Sequence, residues 1–483
     1  MEKFIINIKK MPEFPQQLLQ ALSQLSAAVS GELYLVGGLV RDTLVDRTSH
    51  DIDLAVPAGA IKLARSLAHE LGATFVLLDE EEGVARVVWH GFDIDLADFH
   101  DNAATINQDL AKRDFTINAM AVNLAQCLNN RVELIDPCGG LADLEAGVVR
   151  VISKSSFQDD PLRLLRAFRF AAVLDFSLET GTMAAISNLA ELVSLPSPER
   201  ISHELDLIMT TSRAALTLAQ MADCELLLHI FPELRPGLGM AQPASHHLDV
   251  FFHNMAALDW MEKLQSEPER FFTDNLTRQI NTYLNEPQTR VRLKWAALFH
   301  DLGKPACHAV RNERITFYNH DQVGAEEFIK LAARLRWRRA DIKNISLLIK
   351  LHMWPFHLNN ARRKTGLTAR ACLRLFKAVG PDLPGLFLLT MADSLAGQGP
   401  KRPPDMEKEL VDLYNEIDRI CRIQIKPALN APRLISGRDL IDLGLRPGPV
   451  FKKILDTVEQ AQVEGKVNNR RQALDFLKKH NLI

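Results

Sequence analysis

The sequence predicts an α+β protein: a small mixed-sheet head followed by a mostly α-helical neck, body and tail. Three observations lead there. Strand-like alternation is confined to the segment before residue 100. Helical periodicity runs almost unbroken after residue 155. The 483 residues exceed what one core can hold, which predicts about three or four domains. The divisions read from the pattern are 1–155, 156–235, 236–400 and 401–483.

In order, 15–30 reads as a helix, with Leu18, Leu19, Leu22 and Leu25 at helical spacing. A strand at 32–36 leads into a Gly-Gly turn and a helix over 40–45. A second strand follows at 51–56, then a helix over 57–71 that stops at Gly72. Strands are predicted at 74–78, 84–89 and 92–99. Helices are predicted over 161–174, 182–195, 198–211 and 214–224, with no further strands. Residues 232–246 hold Pro232, Pro236, Gly237, Gly239 and Pro243 and read as a linker. A second helical block runs over 247–396, closed by the Pro-rich 397–404. The helical tail is basic near its end, at Lys466, Arg470, Arg471, Lys478 and Lys479.

Composition excludes several classes. Apolar content of 47% and charged content of 24% describe an ordinary globular chain. A net charge of −3 gives no global field to recruit nucleic acid, so any RNA contact must come from local basic patches. The six cysteines are scattered without a C-x-x-C pair, which argues against disulfides or a zinc ribbon and predicts a reducing cytoplasm. No signal-peptide pattern, membrane-length apolar run, repeat or low-complexity tract is read; neither a membrane nor a protein partner is implied.

The strongest motif is Val36-Gly37-Gly38-Leu39-Val40-Arg41-Asp42, followed by Asp51-Ile52-Asp53. A Gly37-Gly38 turn brings backbone N–H groups close to a phosphate, and Arg41 can add a bidentate contact. Asp51 and Asp53, at i and i+2 of a strand, present both carboxylates on one face. Beside a phosphate cradle, that pair suits two Mg²⁺ ions and nucleotidyl transfer. Asp93 and Asp95 share a face of the 92–99 strand and offer a third carboxylate, with Asp95 favoured; Asp98 faces the other way. In Asp109-Leu110-Ala111-Lys112-Arg113-Asp114-Phe115-Thr116-Ile117-Asn118, Arg113 is placed on a triphosphate and Asn118 on sugar or backbone. Asp136-Pro137-Cys138-Gly139-Gly140 reads as a structural turn before a helix.

Asp159-Asp160-Pro161-Leu162-Arg163-Leu164-Leu165-Arg166-Ala167-Phe168-Arg169 is the second signal. The acids sit at a helix start, where the dipole and capping favour them. Asp160, Arg163, Arg166 and Arg169 recur every third residue as one polar stripe, opposite Leu164, Leu165 and Phe168. A carboxylate accepts from the exocyclic amine of cytosine or adenine, and a guanidinium donates to a ring nitrogen or carbonyl. Uracil and guanine lack that amine at the equivalent position, so protein alone can select C and A.

Together these motifs, over residues 32–210, resemble the bacterial class II tRNA nucleotidyltransferases, the CCA-adding enzymes, and their sister poly(A) polymerases. The resemblance implies Gly38 and Arg41 for nucleotide binding, with Asp42 in the same motif, and Asp51 and Asp53 for Mg²⁺. It implies Arg113, Asp160, Arg163, Arg166 and Arg169 for the incoming ATP or CTP. The 1–155 segment is then the nucleotidyltransferase head, and 156–235 the nucleotide-selecting, RNA-binding neck. The partner is the tRNA 3′ end. Asp159 stands where the family usually has Glu. Between Phe99 and Asp109 only residues 100–108 remain where the family generally has a longer flexible loop, associated with switching from C to A addition. Such a connection is expected to have little slack, which points to CC addition rather than full CCA. A-only addition and poly(A) synthesis stay open.

Leu298-Phe299-His300-Asp301-Leu302-Gly303-Lys304 resembles the signature of HD-domain phosphohydrolases. Adjacent His300 and Asp301 can grip one metal, with His253 upstream and Asp393 downstream completing a four-ligand set for a divalent transition metal. His320 and His352 could hold a second metal or a phosphate; His246, His247, His308 and His357 are read as surface or linker residues. The resemblance implies phosphomonoesterase or cyclic phosphodiesterase chemistry. Readings of another class are a non-catalytic RNA-binding protein and a chiefly hydrolytic HD enzyme acting on RNA ends.

Overall fold

Two parallel strands at the centre of an otherwise antiparallel sheet set the geometry of the N-terminal part. In this computed structural model, which describes residues 4–5, 14–29, 32–100, 103–128 and 133–483, the strands are β1 (Phe4–Ile5), β2 (Tyr34–Val36), β3 (Asp51–Val56), β4 (Thr74–Asp79), β5 (Val84–Trp89), β6 (Phe92–Asp98), β7 (Ala121–Asn123) and β8 (Glu133–Ile135). They line up as β1-β8-β7-β2-β3-β6-β5-β4. β3 and β6 pair in parallel with Asp51 opposite Asp93 and Asp53 opposite Asp95. The alternate residues Ile52, Leu54, Ile94 and Leu96 are buried. The Ala60–Leu71 helix buries Ala64, Leu67 and Leu71 and ends at Gly72 with φ 61°, as predicted. Asp98 does face away from the other acids: its Oδ1 accepts from the first helical N–H, Ala60, at 2.7 Å. The helix starts at Ala60 rather than residue 57, because Gly59, at φ 87°, turns the chain first.

The described residues divide into two compact units, Met1–Arg213 with Gln220–Ile230, and Ala214–Ala219 with Phe231–Ile483. The first holds the sheet together with the Arg163–Leu174 and Pro198–Thr210 helices. Residues 232–246 are not a linker. They belong to the second unit, where Pro232–Gly237 forms a 3₁₀ turn with Leu234 buried. Strands also continue past residue 155: Ser177–Leu178 pairs with Val148–Val149, and Ala309–Arg311 forms a hairpin with Arg314–Thr316. These pieces are two or three residues long, too short for alternation to register. The hairpin turn uses Asn312 and Glu313, both at positive φ, instead of the usual glycine.

The 100–108 connection is not taut. His100 N–H donates to Asp109 Oδ1 at 2.9 Å, so the chain returns to its starting point. Thr105 caps the Ile106–Leu110 helix. Ala103, Ile106 and Leu110 enter a core cluster with Val36, Ala55 and Phe99. Among the described residues of this segment, burial of Ala103 and Ile106 takes the place of the expected tautness.

In the second unit the Val250–Ser266, Pro287–Phe299 and Leu383–Ala396 helices pack together, with His320–Arg334 against Arg339–Leu351. The run Ala369–Ala396 passes the length and hydropathy of a membrane span, but 61% of its most apolar window is buried inside the fold, as in the core helix of a globular chain. Its length emerges only because the turn at Gly380–Asp382 joins two helices end to end. The tail has a small core of its own, built on Ile435, Leu440, Ile454, Val458 and Leu477.

Candidate active site and a second candidate metal centre

The sheet register alone assembles four acids. Asp53 lies beside Asp95 across the parallel pair, and Asp51 beside Asp93. Asp51 is exposed and Asp53 half-buried. Arg86 on β5 grips Asp95 with Nε at 2.7 Å and Nη2 at 2.8 Å, and touches Asp93 at 3.3 Å. That guanidinium neutralises Asp95 more fully than Asp93. Burial raises the Asp53 carboxyl above the usual carboxylate range; Arg113 opposes the shift, while Asp95 and Asp51 reinforce it. A half-buried acid flanked by two others is short of positive charge, which fits a divalent cation at Asp51 and Asp53.

The glycine turn serves this acid directly. Gly37 has φ 65°, and a Cβ there would lie 2.9 Å from Asp53 Oδ2. Gly38 N–H donates to the same oxygen at 3.3 Å, so one amide of the turn holds the carboxylate instead of standing free for phosphate. Arg41 is also committed: Nη1 donates to Asn118 Oδ1 at 2.7 Å, and Nε to Asp42 Oδ1 at 2.8 Å. Arg113 bonds Asp109 Oδ2 at 3.1 Å through Nη2, while Nη1 faces the Gly37 turn. Of the predicted phosphate contacts, Arg113 is the one aimed between the turn and Asp53.

Asp114 ties these parts to the selecting helix. Its Oδ2 accepts from Arg166 Nε at 2.9 Å; its Oδ1 accepts from Asn118 Nδ2 at 3.1 Å and from Phe115 N–H at 2.8 Å. Asn118, predicted to meet sugar or backbone, is a buried connector with its oxygen given to Arg41 and its amide N–H to Asp114. Phe170 completes the cluster, with the guanidiniums of Arg41, Arg166 and Arg169 at 5.1, 5.4 and 4.1 Å from its ring centre.

The predicted stripe is present, and each member has a partner. Asp160 Oδ1 accepts from Leu162 N–H at 3.2 Å and Oδ2 from Arg200 Nη2 at 3.1 Å. Arg163 bonds Ser156 Oγ. Arg169 pairs with buried Glu204 at 2.6 Å, which draws it toward the Pro198–Thr210 helix and away from the acids on the sheet. Sequence reasoning missed Asp114, Arg86, Arg200 and Glu204. A lone acid in a charged motif carries no mark of burial, and the others act across distant elements.

In the second unit all six predicted ligands converge. His253 Nε2 lies 3.1 Å from Asp393 Oδ1 and 3.5 Å from Asp301 Oδ2. His300 Nε2 is 3.2 Å from Asp301 Oδ2, and His320 Nε2 is 3.2 Å from Asp301 Oδ1. His352 Nε2 is 3.2 Å from His320 Nε2. The Nδ1 atoms of His300, His320 and His352 each meet a carbonyl three residues back, Ala297, Phe317 and Ile349, at 2.6–2.8 Å. A carbonyl only accepts, so Nδ1 carries the proton and the Nε2 lone pairs turn to the acids. Both Asp301 oxygens and His300 Nε2 are buried without a hydrogen bond of good geometry. Carboxylate oxygens and imidazole nitrogens crowded on one place fit a divalent metal that would displace the His300 proton. Without a metal, His300 is held protonated: burial would depress it, but Asp301 and Asp393 outweigh that and raise it to about 10. Burial, with His320 and His300 alongside, lowers His352 to about 4.

A cavity of about 530 Å³ opens on this centre. Phe317, Tyr318, Met353 and Phe356 supply apolar walls, and Lys304 and Arg402 the positive charge. Lys304 pairs with Asp301 and donates to Gln242 Oε1 at 2.6 Å. His246 and His357, read from sequence as surface or linker residues, line this cavity; His246 stands within ligand distance of His253 and Asp393. The segment around His246 lacks periodicity, so its place could not be read from spacing.

Asp114 generates a stability prediction. Burial alone would raise its carboxyl, but Arg166, Asn118 and the Phe115 N–H lower it from 3.8 to about 2. A depressed folded-state pKa contributes stability above the unfolded value that is lost as pH falls through the folded one. Asp114→Asn strands Arg166 and should cost about 3–5 kcal/mol at neutral pH. The gap to the parent chain, read from denaturant melts, should narrow between pH 3.8 and about 2; a gap under about 1 kcal/mol at neutral pH, the scale of a surface pair, would contradict the role given to Asp114.

Comparison with known proteins agrees with this geometry. Residues 33–150 match the Poly A polymerase head domain, 175–238 the probable RNA and SrmB binding site of polymerase A, 272–397 the HD domain, and 421–477 tRNA nucleotidyltransferase domain 2. A CC-adding tRNA nucleotidyltransferase of Geobacter sulfurreducens is 44% identical, over 93% of this chain and 92% of the relative. An A-adding tRNA nucleotidyltransferase of Deinococcus radiodurans is 33% identical, over 92% and 94%. The fold is also that of the Thermotoga maritima CCA-adding enzyme complexed with tRNA, at 22% identity, a TM-score of 0.65 and full coverage of both chains. Identity at this level across almost the whole length, on a fold that presents the acids, the glycine turn and the arginine helix together, shows that the chain belongs to the bacterial tRNA nucleotidyltransferases that carry an HD domain.

Proposed function

We propose that this enzyme adds C residues, and not the terminal A, to the tRNA 3′ end. The observation that carries the reading is the 100–110 segment. Where a switching loop needs free length, this chain has a Thr105-capped helix with Ile106 and Leu110 in the core. The 44% identical relative bears the CC-adding name. An A-adding relative at 33% makes A-only addition the alternative.

In this reading Asp51 and Asp53 hold Mg²⁺, with Asp95 as the third acid beside them. Two Mg²⁺ ions held there would supply stabilisation of the attacking and leaving oxygens of the transfer. Arg113 takes the triphosphate, on the side of the turn held open by Gly37. Gly38 fixes Asp53, and Arg41, Asp42 and Asn118 fix the turn from behind. Asp160 and Arg163 read the amine edge of the base. Arg166, held by Asp114, and Arg169, held by Glu204, set the pitch of that helix; Arg200 holds the Asp160 carboxylate. The head is assigned to 1–155, the neck to 156–235, the HD domain to 236–400 and the tail to 401–483. The free cysteines accord with a cytoplasmic location. The HD centre is read as a phosphomonoesterase or cyclic phosphodiesterase site. His253, His300, Asp301 and Asp393 would hold one divalent transition metal, and His320 and His352 a second ion or a phosphate.

Asp51→Ala or Asp53→Ala should reduce addition to below a few per cent of the parent rate at saturating Mg²⁺, with the melting temperature little changed. A variant that keeps a substantial rate removes that carboxylate from the site.

Asp160→Ala or Arg163→Ala should relax base choice more than it slows addition. UTP or GTP should then be incorporated at a measurable rate; continued exclusion of both would place selection elsewhere.

The central test supplies tRNA ending before the CCA, or ending in CC, with each nucleoside triphosphate singly and in mixture. Product lengths should show two additions from CTP and none from ATP. A mature CCA end made by the purified chain alone would overturn the reading, and addition of A to the CC-ended tRNA would favour the A-only alternative.

A further inference from the structure

We propose that His246 is a further metal ligand of the HD centre, acting with His253 and Asp393 on the side that faces the cavity. The inference rests on reading that centre as a metal site. It adds a residue outside the six that the family resemblance pointed to.

Three overlapping triads can be drawn among the described residues: His246–His253–Asp393, His253–His300–Asp301 and Asp301–His320–His352. In each, one ligand atom per residue lies within 4.8 Å of the others. Neighbouring triads share His253 or Asp301, so the potential ligands form a continuous row. His246 ends the row. Its ring meets the His253 ring edge to face, with centroids 4.8 Å apart, and it lines the cavity, while His253 is wholly buried.

The position of His246 is fixed by its backbone. His246 N–H bonds Pro243 O at 2.8 Å. The preceding residues are strapped to the segment after the Leu383–Ala396 helix, by Gly399 N–H to Ser245 O at 2.8 Å and Lys401 N–H to Ala244 O at 3.0 Å. The crossing is so close that a Cβ on Gly399 would lie 2.3 Å from the Ser245 carbonyl carbon. Two chain segments are therefore locked together at the point that brings this imidazole to Asp393, which lies on the same helix that ends at the strap. Ser245 Oγ stands 3.1 Å from His246 Nδ1. A hydroxyl can accept from Nδ1–H, and that tautomer leaves the Nε2 lone pair for an ion. The second independent observation lies in the same triad: His253 Nδ1 is buried without a hydrogen-bond partner. With His246, the donor set around His253 and Asp393 becomes rich in imidazole, which favours a transition metal over Mg²⁺.

The probe is Co²⁺, titrated into the full chain and followed by visible absorption and by bound metal after dialysis. The comparison set is the parent, His246→Ala, His246→Gln, His247→Ala and the double variant His300→Ala with Asp301→Ala, matched by thermal melts. Both His246 variants should bind Co²⁺ roughly tenfold more weakly, with an altered band shape that reports a lost ligand. His247→Ala should match the parent. Unchanged affinity and spectrum in the His246 variants, with the ion lost in the double variant, would overturn the proposal and leave the metal site standing. A parent chain that binds no Co²⁺ would overturn both.

Discussion

One buried carboxylate, Asp114, holds the proposed nucleotide site together. It bonds Arg166 on the selecting helix with one oxygen and Asn118 with the other. Asn118 passes the connection to Arg41, on the short helix that follows the glycine turn. Asp53, the glycine turn and the Arg163–Leu174 helix are thus linked through groups that are mostly buried. Buried hydrogen-bonded networks of this kind are costly to break at any member, so the arrangement keeps a single geometry. That geometry separates two tasks. Acids on the central strands stay short of positive charge, while Arg166 and Arg169 are held by carboxylates of their own, Asp114 and Glu204, and Arg163 by the Ser156 hydroxyl.

The same logic recurs in the second unit with a different chemistry. Histidines replace most of the acids, and each of three donates Nδ1–H to a carbonyl three residues back. Such bonds aim lone pairs inward before any ion arrives, which lowers the reorganisation that binding requires. Protonated His300 and Lys304 balance Asp301 and Asp393 in the metal-free state. A metal would displace that proton, so binding there is coupled to pH.

Much of this was legible in the sequence because the chemistry-bearing residues fall at regular spacing within single elements. Asp51 and Asp53 alternate on a strand, and Arg163, Arg166 and Arg169 recur along one helix. The six HD ligands lie on separate elements and were read from the family resemblance, and all six converge. What sequence did not disclose was pairing across elements: that Gly38 serves Asp53, that Arg169 leans to Glu204, that Asn118 is a connector, and that Arg200 meets Asp160. Nor could spacing reveal that 100–108 folds back on Asp109, because extended reach sets only an upper limit on separation. His246 was missed for a related reason: its place comes from a strap to residues 399–401, far along the chain.

The most direct test of the account is anomalous diffraction from crystals of the full chain soaked with Mn²⁺ and CTP. The account predicts an anomalous peak between the Asp51 and Asp53 carboxylates, the triphosphate beside Arg113, and the cytosine amine edge against Asp160 and Arg163. A nucleotide bound with its base away from that helix, or Mn²⁺ absent from both carboxylates while CTP is present, would contradict it.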